Sequence, residues 1–96
     1  MTVLVVVEAK VDSDRIDDAI DFLADKFPET RKYSGCQDIT AYLNEDGQSF
    51  MFIEHWDSRE QFDKYMSWRQ ESGTFSVFLD MLVGEPSFRF FEKTKA

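Results

Sequence analysis

The sequence predicts an α+β domain, a four-stranded antiparallel sheet with helices packed on one of its faces. Three observations lead there. Four segments have the alternating or β-branched character of strands, and three carry apolar residues at helical spacing. Their order along the chain is β-α-β-β-α-α-β. The 96 residues suit one domain, residues 1–96, with no linker, internal repeat or low-complexity stretch.

Residues 3 to 9, VLVVVEA, are β-branched on both parities and read as a strand buried on two sides. Asp12 or Ser13 then suits a helix N-cap, with acids in the first turn where the helix dipole favours them. Ile16, Ala19, Ile20, Leu23 and Phe27 recur at helical spacing. Pro28 lacks a backbone donor, so the helix is expected to kink or restart there, before Gly35 ends it. Residues 37 to 43, QDITAYL, alternate as a strand, and Asp46-Gly47 suits the turn of a hairpin. Its second strand, SFMFIEHW at 49 to 56, puts Phe50, Phe52, Glu54 and Trp56 on one face and Met51, Ile53 and His55 on the other. In SREQ, Ser58 and Gln61 fit a capping box, and Phe62, Tyr65, Met66 and Arg69 follow on one helix face. After Gly73, a third helix is expected to carry Phe75, Phe78, Leu79 and Leu82 and to close at Gly84, with SFRFFEK as the last strand. This order is the ferredoxin-like arrangement.

Composition narrows the function. Eleven Lys and Arg against 19 Asp and Glu give a net charge of −8. That charge repels a phosphate backbone and an anionic membrane surface, so neither nucleic acid nor membrane is an expected partner. Aromatic residues make up 16% of the chain, ten of them Phe. One small core does not readily hide so many, and the excess is expected to line a pocket or cover a subunit interface. Val, Ile and Phe on both parities of strands one and three point to a homodimer laid sheet to sheet. Cys36 is the sole cysteine, which excludes an intramolecular disulfide and a four-cysteine metal site. The apolar start is too short for a signal peptide or a membrane span, so a cytoplasmic protein is expected.

Three stretches carry a family resemblance that covers nearly the whole chain. They are RKYSGCQDI after the first helix, FIEHWDSREQF, close to a Glu-x-Trp-x-Ser run, and FLDMLVGEP before the last strand. The chain resembles the antibiotic biosynthesis monooxygenase family of dimeric α+β barrel domains. The resemblance implies oxygenation of a flat, electron-rich phenol or quinol by molecular oxygen, with no cofactor. A deprotonated ring can itself pass an electron to oxygen, provided the protein binds the ring, favours the anion and excludes water. Trp56 aligns with a pocket tryptophan of that family. The aromatic-polyketide enzymes have Asn four residues before it and Tyr six after, where this chain has Phe52 and Phe62. Many members have His where this chain has Tyr65. A haem-degrading branch uses a third-helix His, and TFSVFLDML contains none.

The expected pocket lies between sheet and helices, walled by Trp56, Phe52, Phe62, Tyr65 and Phe78. Glu54, His55 or Tyr65 would assist loss of a phenolic proton. Each has a plainer role. Glu54 can pair with Arg89 or Arg69; left unpaired and buried, its raised pKa would make it a base. His55 can be a packed or partly exposed histidine, Tyr65 can simply pack, and Cys36 suits a small buried thiol. A lone His without clustered ligands makes a metal site unexpected. The alternative function is a non-catalytic domain that binds a small aromatic molecule or only dimerises; a third is an isomerase or cyclase on a similar ring.

Overall fold

The computed structural model describes residues 2–96. Its elements are β1 (Val3–Lys10), a 3-10 turn (Ser13–Arg15), α1 (Ile16–Lys32), β2 (Cys36–Leu43), β3 (Ser49–Trp56), α2 (Arg59–Glu71), α3 (Thr74–Leu79) and β4 (Ser87–Glu92). The strands form one antiparallel sheet in the order β2-β3-β1-β4. This is the ferredoxin-like α+β fold, with the helices on one face of the sheet.

Strand alternation decides what meets the helices. Val5 and Val7 of β1 stand beside Glu54 and Phe52 of β3, and Phe90 and Phe88 of β4 flank them on the other side. These residues face Leu23 and Phe27 of α1, Phe62 and Tyr65 of α2, and Phe78 of α3 in a single core. The hairpin between β2 and β3 is closed by Asp46. Its carboxylate accepts from the Ser49 hydroxyl and from the Gln48 and Ser49 N–H groups. Those bonds, the Ser49 hydroxyl foremost, hold it down to about 2.

Two expectations about helix boundaries need correction. The helix does not restart at Pro28, because α1 is one α-helix from Ile16 to Lys32. Phe27 meets Phe52 edge to face at 5.3 Å, and Thr30 is fully buried. Packing on both sides of the proline outweighs the one hydrogen bond it removes. The third helix ends at Leu79, not near Gly84. Leu82 instead makes an antiparallel bridge to Val11, Asp12 N–H donates to the Met81 carbonyl, and Val83 N–H donates to that of Lys10. These backbone bonds draw the chain out of the helix and alongside the end of β1.

The second face of the sheet is also less uniform than expected. Leu4, Val6, Met51, Ile53 and Phe91 form its apolar centre. Around them stand a His55–Asp38 pair at 2.8 Å and an ion pair of Glu8 with Arg89. Both Phe50 and Phe52 lie on the helix side, because β3 alternates strictly.

Candidate active site

A cavity of about 70 Å³ lies between the sheet and the three helices. Phe52 and Phe78, with ring centroids 5.6 Å apart, belong to its apolar wall. Glu54, Tyr65, Arg69, Lys26 and Thr74 are its charged or polar members.

Glu54 reaches the cavity because it shares the inward face of β3 with Phe52 and Trp56. It is 3% exposed. Its Oε1 accepts the indole N–H of Trp56 at 2.9 Å, and its Oε2 makes no hydrogen bond among the described residues. The expected ion pair is absent. Arg69 pairs with Glu29 and Arg89 pairs with Glu8. Burial pushes the Glu54 carboxyl up to about 7, against the opposing pull of the Trp56 hydrogen bond. A carboxyl that titrates there can take a proton and return it near neutral pH.

Tyr65 stands one turn before Arg69 on the inner face of α2. Arg69 is buried; its guanidinium lies over the Trp68 ring and donates four hydrogen bonds. Nε–H goes to Tyr65 Oη at 2.9 Å, Nη2–H to Thr30 Oγ1 at 3.0 Å and to the Lys26 carbonyl at 3.1 Å, and Nη1–H to Glu29 Oε1 at 3.1 Å. Tyr65 Oη and Thr30 Oγ1 lie 2.7 Å apart. This network pins α2 to α1 across the cavity. Burial raises the Tyr65 pKa above its ordinary value, opposed by the hydrogen bonds from Arg69 and Thr30.

The remaining candidate residues are divided. Trp56 is fully buried and does not line the cavity, but it backs two residues that do, Glu54 and Tyr65. Its ring packs on Tyr65, at 5.0 Å between centroids, and on Phe62, at 5.7 Å. Phe62 likewise lies behind the wall, under Phe90. His55 is on the opposite face of the sheet, bound to Asp38, so it does not join Glu54 and Tyr65. Cys36 is half-buried, and burial foremost pushes its thiol up to about 11, where it stays protonated. Thr30 went unrecognised from sequence. It sits three residues after Phe27 on the buried stripe of α1, but a threonine there carries no mark of its partners.

Among the described residues, no group of three or more His, Cys, Asp or Glu side chains is gathered to hold a metal ion. No helix among them is long and apolar enough to cross a membrane.

A ferredoxin-like sheet, with a helix-side cavity that holds a buried carboxyl, describes a class of small α+β domains with a site between sheet and helices. The family is narrower. The antibiotic biosynthesis monooxygenase pattern matches residues 2–73, and the chain belongs to that family. Solved structures agree on the fold. A conserved protein from Methanosarcina mazei Go1 is 18% identical with a TM-score of 0.89, over 98% of this chain and 94% of that one. Rv0793 from Mycobacterium tuberculosis is 17% identical with a TM-score of 0.87, over 100% and 98%. A structure described as an antibiotic biosynthesis monooxygenase is 14% identical with a TM-score of 0.86, over 96% and 98%. No curated protein matches the chain.

Proposed function

We propose that the protein is a cofactor-independent monooxygenase of a small phenolic or quinol ring, working as a homodimer. The observation that carries this is Glu54, a buried carboxyl on the cavity with no cationic partner and a pKa of about 7. Family membership supports the reaction class. Glu54 takes the proton of the ring hydroxyl, and the electron-rich anion reduces oxygen at the ring carbon that becomes oxygenated. The resulting peroxide receives the proton from Glu54. Loss of the C–H proton to Glu54 then expels hydroxide, which leaves as water once that proton is returned. In sum, one CH₂ of the keto tautomer and one O₂ give one C=O and one H₂O. The apolar wall of Phe52 and Phe78 keeps bulk water from the anion.

The test is oxygen uptake by metal-stripped protein with naphthohydroquinones and anthrone-like phenols, set against heat-killed protein to measure autoxidation. Uptake above autoxidation is expected, with a loss of about a hundredfold in Glu54→Gln, the usual scale for removing a general base. Equal rates in the variant and the wild type would dismiss Glu54 as the base.

The size of the cavity favours a second reading. Sites for drug-sized ligands run to roughly 300 Å³ or more, so a fused ring needs the wall to move. Binding of a small phenol without turnover, or acid-base isomerisation by Glu54 alone, fits the cavity as it stands. Binding without turnover identifies the former, and turnover without oxygen the latter.

A further inference from the structure

The hydroxyl of Tyr65 is held from two sides, and the protons around it can be counted. An arginine side chain only donates. Arg69 therefore fixes both Tyr65 Oη and Thr30 Oγ1 as acceptors toward itself. One hydroxyl proton lies between the two oxygens, 2.7 Å apart. That leaves two arrangements. In the first, Tyr65 donates to Thr30, and Thr30 turns its own proton to the Lys26 carbonyl, a contact of 3.5 Å at the limit of a hydrogen bond. In the second, Thr30 donates to Tyr65, and the phenolic proton is free for an occupant of the cavity. Tyr65 lines the cavity, and so does Arg69, to which its hydroxyl is bonded.

We propose that Arg69 and Thr30 are positioning residues that aim the Tyr65 proton at the oxyanion of a phenolate in the cavity, so that the site prefers aromatic oxyanions to neutral phenols. The proposal rests on the phenol-ionising reading above and adds the group that receives the charge left on oxygen. In the second arrangement Tyr65 accepts from a guanidinium and from a hydroxyl while it donates. Each accepted bond polarises its O–H and strengthens the bond it gives. Burial keeps Tyr65 itself protonated, with Arg69 and Thr30 opposing that shift. The charged groups about this hydroxyl are Arg69 of α2, Glu54 of β3, and Lys26 and Glu29 of α1, the last paired with Arg69.

The test is a pH titration of 4-nitrophenol, whose anion absorbs visible light, in the presence of saturating Glu54→Gln protein. Glu54 is the only carboxyl among the described cavity-lining residues, so this background removes the carboxyl whose titration would overlap that of the ligand. Bound nitrophenol should ionise about tenfold more readily than free nitrophenol, a midpoint lower by about one pH unit. Adding Thr30→Ser, which keeps a hydroxyl, should preserve the shift. Adding Thr30→Val or Tyr65→Phe should remove most of it, with circular dichroism verifying that each variant folds. A folded Thr30→Val protein that keeps the full shift overturns the positioning role. So does a Glu54→Gln protein that fails to bind nitrophenol or leaves its midpoint unmoved, whatever the Thr30 variants do. Oxygen uptake by the wild type distinguishes this proposal from the reaction. A shifted ligand without uptake removes the monooxygenase reading and upholds the proposal; uptake with an unshifted ligand does the reverse.

Discussion

At Glu54, burial and one indole N–H act on the carboxyl in opposite directions, and burial prevails. The consequence for stability has a definite sign. A carboxyl whose pKa rises from 4.5 to about 7 on folding binds more protons in the folded state. Its contribution is therefore fully present below about pH 4.5, falls as pH rises toward 7, and is gone above that. The span is roughly 3 kcal/mol, at 1.36 kcal/mol per unit. Urea unfolding at pH 5 and pH 8 should show Glu54→Gln gaining relative to the wild type at the higher pH; a parallel pair of curves would contradict it. Trp56→Phe removes the bond that lowers the Glu54 pKa, so the midpoint of the pH–rate profile should move up from about 7. A midpoint that stays or falls would deny Trp56 that influence. The period of β3 made the company of Glu54 and Trp56 legible in sequence. The missing ion pair was not legible, because Arg69 finds Glu29 only once α1 and α2 lie side by side. The same holds for Thr30 and Tyr65, 35 positions apart.

At the scale of elements, local signals foretold most boundaries, and tertiary packing moved two of them. Ser58 caps α2 through the Gln61 N–H as its spacing implied. Pro28 and the end of α3 went otherwise, since a buried helix face and a bridge to Val11 are long-range effects that a local pattern does not contain. Gly35 shows how tightly β2, β3 and α2 are joined. Its φ is +95°, its carbonyl accepts the Asp57 N–H, and a methyl group on it would lie 2.6 Å from the Gln61 side chain. Gly35→Ala should lower the unfolding free energy by roughly 1–3 kcal/mol, the scale of a strained backbone position. A change in urea midpoint too small to resolve would refute that.

For the whole molecule, the helix-free face of the sheet is where the proposed homodimer would form. Phe91 is 44% exposed and Met51 36%, beside Leu4 and Ile53 and within reach of charged neighbours at the margin. An apolar centre with a polar rim suits an interface between two copies. Light scattering should report a dimer at micromolar concentration. Phe91→Glu, at a position that contributes little to the folded subunit, should yield a monomer with an unchanged circular dichroism spectrum. A wild-type monomer, or a dimer untouched by that charge, would dismiss this face as the contact.

The sheet order has a consequence for the newborn chain. β1 is central, and its partners β3 and β4 begin only at Ser49 and Ser87. At a synthesis rate of about 5–20 residues per second, Val3 to Val7 spend seconds outside the ribosome before either neighbour exists. They form an uncharged β-branched run of the kind that pairs with other chains. Glu8 and Lys10, and the acids of α1 that emerge next, are the charges that follow this run and can keep nascent chains apart.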